Sequence, residues 1–268
     1  MTIVVSIDDQ SMGLWNDKLE KYEKFYVIST SKNGSGEKKD SYCTPRGYVK
    51  VGQKIGDGEP LGRFFIGRKP VDPAMVADKT KGITTRILWL SGEMLGFNKG
   101  GDCDTKERMI YIHGVTMPSP LPPHISEGCI NMTDEDVLDL FDRVDNDTPV
   151  AIYDQSLPKY YVRTRLGSLS EISNYFPNVS KSANWYLVAS STGKSSIVGY
   201  MAVSGQNVSQ VGATSKESDS IVKQMSEFIQ YYCIAQGYPK LRNIGRVQTS
   251  VLEDSPPESL RDGEKQFQ

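Results

Sequence analysis

Hydrophobic and polar positions in the first 154 residues follow the period of short β-strands. Runs rich in β-branched and aromatic residues alternate with glycine and proline, as strands separated by turns do. Such runs predict strands at Ile3–Ile7, Phe25–Ser29, Tyr48–Ile55, Arg63–Gly67, Arg86–Leu90, Met109–His113 and Val150–Tyr153. The pattern therefore predicts a mainly β domain over residues 1–154.

One stretch of this domain has the period of a helix instead. Between residues 137 and 144, apolar side chains recur every three to four positions. Thr133 is a suitable N-cap, and the acidic residues 134–136 suit the positive end of a helix dipole. We therefore predict a helix over Thr133–Val144, which starts four residues after Cys129.

The pattern changes after Asp154. Residues 155–182 are polar without a sustained period, which is typical of a linker or a peripheral wrap. Further on, strands are predicted at Trp185–Ser190, Ile197–Ser204, Val208–Ala213 and Arg246–Leu252, with an amphipathic helix of about twenty residues before Gly237 and Pro239. Residues 183–253 thus form a small α/β domain of unknown role, and residues 254–268, rich in proline and charge, form a disordered tail.

Composition narrows the class of protein. With 38% hydrophobic and 24% charged residues, and no apolar run of the roughly 20 residues that a membrane span needs, the chain is typical of a soluble globular protein without a membrane span. The net charge of -2 gives no reason to expect nucleic acid as a partner. The amino terminus lacks the basic region and cleavage site of a signal peptide.

The chain has four cysteines and two histidines. The cysteines form no Cys-x-x-Cys pair, so neither a zinc site nor a disulfide framework is indicated, and we expect no metal or cofactor. A thiol needs a base to become a nucleophile, and both His113 and His124 lie within sixteen residues before Cys129. Cysteines without a histidine nearby in sequence are interpreted as structural: Cys43, Cys103 and Cys233.

The residues around Cys129 suit acyl transfer. His113 ends a predicted strand and is followed by Gly114, which places the ring at the mouth of a sheet as a general base. Gly128 lets a substrate carbonyl approach the N–H groups of Gly128 and Cys129, a predicted oxyanion hole. His124 is either a substrate contact or a solvated surface group.

These residues form a motif. His113-Gly114 is followed by Ser126-Glu127-Gly128-Cys129-Ile130-Asn131, and upstream lie S-Y-C-T-P-R-G-Y-V-K-V at 41–51 and the run R-I-L-W-L-S-G. Over about residues 2–154, this order resembles the L,D-transpeptidase catalytic (YkuD-like) family. The resemblance implies a β-sandwich-like domain with one or two helices.

The resemblance also implies a reaction. Cys129 would attack the diaminopimelate carbonyl of a peptidoglycan stem peptide, expel D-alanine and form a thioester, while the Gly114 carbonyl orients His113. An amine acceptor would give a cross-link for cell wall biogenesis and cell shape; water would make the protein an L,D-carboxypeptidase. A catalytically weakened peptidoglycan-binding module is the third interpretation. The family works in the cell envelope or periplasm, although the missing leader leaves a cytoplasmic location open; protein partners and oligomeric state stay undetermined.

Substrate or oxyanion contacts are predicted at Gly128, Ser126, Asn131, Tyr111 and His124. Asn131 fits the family's Gly-Cys-x-Asn variant and is expected to fix the turn that holds Cys129. Glu127 departs from the family, which usually has histidine there. Its carboxylate would either raise the thiol pKa by repulsion or pair with the imidazolium of His113.

Overall fold

The computed structural model describes residues 1–80, 82–117, 119–194, 196–214, 217–237 and 241, and the backbone of 249–252. They divide into two compact units, with Met1–Pro158 as the body of the first and Lys159–Ile229 as the body of the second. The boundary predicted after Asp154 lies four residues before the end of that first body.

A ten-stranded mixed sheet forms the first unit. Its strands are β1 (Thr2–Ser6), β2 (Ser11–Asn16), β3 (Lys21–Val27), β4 (Gly47–Ile55), β5 (Phe64–Ile66), β6 (Lys69–Val71), β7 (Ile83–Gly92), β8 (Tyr111–Val115), β9 (Ile130–Thr133) and β10 (Pro149–Tyr153). The main path runs β3-β2-β1-β10-β4-β7-β5-β6, and β8 pairs with both β7 and β9. Only β1–β10 and β8–β9 are parallel among the described pairs of this sheet. The prediction of a mainly β domain is confirmed.

The predicted helix is confirmed as α1 (Asp134–Arg143). The Thr133 hydroxyl caps it by accepting the Asp136 N–H at 3.2 Å. The apolar face of the helix is buried through Val137, Leu140 and Phe141 against the sheet core. Each such side chain contributes about 1.5–3 kcal/mol through burial. α1 begins directly after β9, the strand that follows Cys129, so this packing fixes α1 against the sheet close to Cys129 in sequence.

Three strands of this unit were not predicted from the sequence pattern: β2, β6 and β9. β2 has a continuous buried stretch with a central glycine rather than alternation. A Cβ on Gly13 would lie 2.5 Å from the Tyr22 ring, so the ring of the neighbouring strand takes that space. β6 and β9 are three and four residues long, too short for a period to show.

The second unit has a five-stranded sheet in the order β11-β12-β13-β14-β15. Its elements are β11 (Arg163–Gly167), α2 (Leu169–Ser173), β12 (Trp185–Ser190), β13 (Ile197–Ser204), β14 (Asn207–Thr214), β15 (Thr249–Leu252) and residues 218–229 of α3 (Ser218–Ala235). β14 and β15 are parallel, and the other pairs are antiparallel. The predicted α/β character is confirmed. No helix in the described ranges is long and apolar enough to cross a membrane.

The linker interpretation of residues 155–182 is wrong over 163–179. Strand β11 pairs with β12, and Ile172, Phe176 and Val179 are buried in the core of the second sheet. The capping box formed by Ser168 and Glu171 was the sequence signal for α2. The helix itself has only five residues, which is too short for a helical period to show. The predicted tail, 254–268, and residues 246–248 of the last predicted strand lie outside the described residues.

Candidate active site

The predicted nucleophile and base lie on or directly before two neighbouring strands. Cys129 directly precedes β9, and His113 is the central residue of β8. The strands are parallel, with Ile112 opposite Ile130 and His113 opposite Asn131. The structure therefore brings the predicted nucleophile and base to one edge of the sheet.

Hydrogen bonds close the turn that carries Cys129. The Ser126 hydroxyl donates to the Cys129 carbonyl at 2.6 Å and accepts the Gly128 N–H at 3.2 Å. On the outer side, the Ser126 N–H donates to the Thr30 carbonyl and the Lys32 N–H donates to the Ser126 carbonyl, both at 3.0 Å. Ser126, predicted as a substrate or oxyanion contact, thus holds the turn itself.

Gly128 is required by this turn. Its φ is +116°, and a Cβ there would lie 3.1 Å from Ile110 and 3.2 Å from the Cys43 carbonyl oxygen. Because its N–H already donates to Ser126, the structure does not support the predicted oxyanion role of that N–H. The oxyanion role of the Cys129 N–H stays a prediction.

The thiol of Cys129 lies among protein groups at the end of an apolar cluster. It packs against the cluster formed by Phe65, Ile87 and Tyr111, and it donates to the Met109 carbonyl at 3.6 Å. Burial raises the pKa of the thiol to about 11, although the hydrogen bond from the Tyr111 N–H and the charge of Arg108 act to lower it. The resting thiol is therefore protonated at neutral pH.

His113 is buried, and its ring is held by the next residue. Its Nδ1 lies 2.9 Å from the Gly114 carbonyl oxygen. Because a carbonyl only accepts, Nδ1 carries the hydrogen and Nε2 is left as the acceptor. Burial lowers the pKa of His113 to about 4, against the Gly114 hydrogen bond. No hydrogen bond joins this ring to the Cys129 thiol in the described part of the chain.

An acidic residue that sequence reasoning missed supports Gly114. A Cβ on Gly114 would lie 2.6 Å from Asp134 Oδ1 and 2.7 Å from the Thr84 carbonyl oxygen, so only glycine fits. The hydroxyls of Thr84 and Thr85 donate to the same Asp134 oxygen at 2.6 and 2.5 Å. Asp134 thereby links the start of α1 to β7, the strand that pairs with the strand of His113. Its position in the first turn of the helix was the available signal.

Arg108 is the second residue missed. Its guanidinium donates to the Cys43 carbonyl at 2.6 Å and to the Gly36 carbonyl at 3.1 Å. Burial lowers its pKa below the ordinary value. These bonds hold the positive charge that acts on Cys129.

Glu127 takes neither of the two roles expected for it. Its carboxylate pairs with Lys32 at 2.9 Å, and both side chains are exposed. The hydrogen bond and charge of Lys32 lower the Glu127 pKa, and Glu127 contributes to the pKa of neither Cys129 nor His113. Glu127, the residue that departs from the family motif, is thus paired with Lys32 on the surface and not with the thiol.

Asn131 and His124 differ in how the structure places them. The Asn131 backbone exchanges hydrogen bonds with Ser29 at 2.9 and 2.8 Å, in agreement with an anchoring role. Its Oδ1 is buried and has no hydrogen-bond partner among the described residues. His124 is exposed, and its backbone N–H donates to Gln10 at 3.1 Å. None of the described contacts brings the His124 ring to Cys129.

Comparison with known proteins gives a family match to the first unit. A model of the L,D-transpeptidase catalytic domain (YkuD) matches residues 1–152. No curated protein matches the chain.

Solved structures match the same part of the chain at low identity. An Enterococcus faecium L,D-transpeptidase variant is 18% identical, with 57% of this chain and 49% of that chain covered and a TM-score of 0.34. The helical cell shape determining protein Pgp2 of Campylobacter jejuni is 15% identical, with 58% and 47% covered and a TM-score of 0.39. This chain spans about half the length of each of these proteins.

Proposed function

Because this chain belongs to the L,D-transpeptidase catalytic-domain family, we propose that it is a peptidoglycan L,D-transpeptidase that works through a thioester on Cys129. One observation carries the proposal. Cys129 directly precedes a strand that is parallel to the strand of His113. The Nδ1 of His113 is hydrogen-bonded to the Gly114 carbonyl, which leaves Nε2 as an acceptor. The same proposal places the activity in the cell envelope, which fractionation of the native protein tests.

The first half-reaction forms the thioester. The Cys129 proton moves to Nε2 of His113 as sulfur attacks the carbonyl carbon of diaminopimelate in a donor stem peptide. The tetrahedral intermediate then collapses, the carbon–nitrogen bond breaks, and the imidazolium gives its proton to the departing amine of D-alanine. The acyl group stays on sulfur.

The second half-reaction regenerates the free Cys129 thiol. A side-chain amine of another stem peptide attacks the thioester carbonyl and gives its proton to His113. The carbon–sulfur bond breaks, and the proton returns to Cys129. Water in place of the amine gives L,D-carboxypeptidase activity, which chromatography of digested stem peptides separates from cross-linking.

Burial of both groups sets the order of these events. With the thiol pKa near 11 and the His113 pKa near 4, the neutral pair is favoured before substrate arrives. Proton transfer therefore accompanies attack on the carbonyl instead of preceding it. The Tyr111 N–H and the Arg108 charge stabilise the sulfur as negative charge develops.

Intact-mass measurement after incubation with a carbapenem tests the proposal. We expect one covalent adduct on the wild type and none on Cys129→Ala. Cys43→Ala and Cys103→Ala are matched controls, because both remove part-exposed free thiols, and they keep the adduct. A wild type that forms no adduct, or an adduct that survives Cys129→Ala, contradicts the proposal.

A further inference from the structure

We propose that Arg68, held against Trp89 and Tyr111, is a binding subsite for a carboxylate of the peptide substrate. The proposal rests on the function proposed above. Peptidoglycan stem peptides carry carboxylates on both sides of the bond that the enzyme would cleave, on diaminopimelate and on the leaving D-alanine. Either one has the chemistry that this subsite recognises.

Arg68 is held in place by its backbone and by two aromatic rings. It lies at the tip of the hairpin formed by β5 and β6, where Gly67 and Arg68 have φ of 56° and 66°. Two successive residues at positive φ are typical of the tight two-residue hairpin turn. The guanidinium carbon lies 4.4 Å from the centre of the Trp89 ring, and Nη1 donates to the Tyr111 hydroxyl at 2.9 Å.

One edge of the guanidinium has no partner. Both contacts of Arg68 with polar atoms, at the Tyr111 hydroxyl and the more distant Met109 sulfur, use Nη1. Nε and Nη2 make no hydrogen bond, and no carboxylate lies within ion-pair distance, among the residues that the structure describes. These two nitrogens form the fork that binds a carboxylate through two parallel hydrogen bonds.

A second cation lies over the same indole. The Lys106 ammonium is 5.2 Å from the centre of the Trp89 ring, and the Trp89 Nε1–H donates to the Lys106 carbonyl at 3.1 Å. Lys106 has no carboxylate partner within the described ranges either. Two positive charges against one ring, neither neutralised by an acidic side chain, favour an anion at this position.

Two residues, Tyr111 and Met109, connect Arg68 to the Cys129 thiol. Cys129 packs against the apolar cluster that contains Tyr111, and the Tyr111 hydroxyl contacts Arg68. Met109 similarly offers its carbonyl to the thiol and its sulfur to Arg68, at 3.6 and 3.8 Å. A peptide with its scissile carbonyl at Cys129 therefore has Arg68 within reach of a nearby carboxylate.

Equilibrium binding to the Cys129→Ala protein tests the subsite without requiring turnover. The probes are a stem tetrapeptide with free carboxylates, the same peptide amidated on diaminopimelate, and the same peptide ending in D-alaninamide. We expect one of the two amidations to weaken binding about 10- to 100-fold, the range of a charged hydrogen bond. The amidation that does so identifies the carboxylate.

Variants at the hairpin tip complete the test. Arg68→Met on the Cys129→Ala background is expected to bind the acid and the amide equally, while Arg68→Lys keeps a reduced preference. Lys69→Met, which removes an exposed cation next to Arg68 in the same hairpin, keeps the full preference. Thermal unfolding confirms that each variant is folded.

The outcomes separate the two proposals. An acid-to-amide ratio that survives Arg68→Met, or no binding of any peptide, overturns the subsite. A ratio that depends on Arg68, combined with a wild-type protein that never turns the peptide over, retains the subsite and contradicts the proposed function. Peptide turnover that is unchanged in Arg68→Met contradicts the subsite and retains the proposed function.

Discussion

Arg46 and Arg68 of the first unit each lie against an aromatic ring, and they differ in what neutralises the charge. Arg46 lies 5.9 Å from the centre of the Phe97 ring and pairs with Glu37 and Asp154, both at 2.8 Å. Arg68 lies 4.4 Å from the Trp89 ring without a carboxylate partner in the described structure.

The contrast shows that pairing, more than burial, separates a structural arginine from one available to a ligand. Burial alone would lower the pKa of Arg46, but hydrogen bonds and charge from Glu37 and Asp154 raise it. The guanidinium of Arg46 is occupied by its ion pairs and joins segments that are distant in sequence, at Glu37 and Asp154. Arg68 uses one nitrogen for positioning and leaves two for an anion. The predictions below test whether binding at Arg68, chemistry at Cys129 and stability at Arg46 are separate.

The largest effect is expected at the base. His113→Gln should reduce the rate of Cys129 acylation by about 10²–10⁴-fold, because Nε2 no longer accepts the thiol proton. Binding of the peptide acid should still exceed that of the amide. His124→Gln is the matched control, since it changes the other histidine of the chain on an exposed loop. Equal losses for the two variants would contradict the assignment of His113; stopped-flow acylation measures both.

The next effect is the pH dependence of thiol reactivity. Only the thiolate alkylates, and the Cys129 pKa is raised to about 11, so the iodoacetamide rate should rise about tenfold per pH unit between pH 7 and 10. Arg108→Met should shift this profile to higher pH because it removes a charge that lowers the thiol pKa. Arg68→Met should leave the profile unchanged.

Mass spectrometry of the labelled peptide follows Cys129 separately from the other thiols. A profile that levels off near pH 8.5, or one that moves equally in Arg68→Met and Arg108→Met, would contradict the separation of the binding cation from the cation that acts on sulfur.

Stability should distinguish the two arginines directly. Arg46→Met is expected to lower the free energy of unfolding by about 2 kcal/mol, because it leaves Glu37, with 13% of its side chain exposed, without its cation. Arg68→Met should change the free energy of unfolding by less than about 0.5 kcal/mol. Urea unfolding measures both. A destabilisation of the same size in Arg68→Met would show that Arg68 is also structural.

The smallest effect is expected at Glu127. Its carboxylate pairs with Lys32 on the surface, so Glu127→Gln should change the alkylation and acylation rates of Cys129 by less than roughly threefold. Lys32→Gln is the paired control and should behave alike. A tenfold change in either rate would mean that Glu127 reaches the thiol during catalysis.

Local patterns predicted the periodic elements closely. Strands Trp185–Ser190 and Ile197–Ser204 were predicted to the residue, and α1 was predicted between its caps, Thr133 and Val144. Burial on one face and capping depend on neighbours in sequence, and these are visible in the chain. By contrast, β9 is a strand only because β8 and the segment at Ser29 pair with it.

The sequence by itself predicted the proposed nucleophile and its base, because both histidines of the chain lie within sixteen residues before Cys129. Only the tertiary structure decided which residues the charged side chains of Glu127 and Arg68 contact. Glu127 meets Lys32, 95 residues away in sequence, and Arg68 meets Tyr111, 43 residues away. The reason is physical: these contacts follow from the order in which strands pair across the sheet, which no local period encodes.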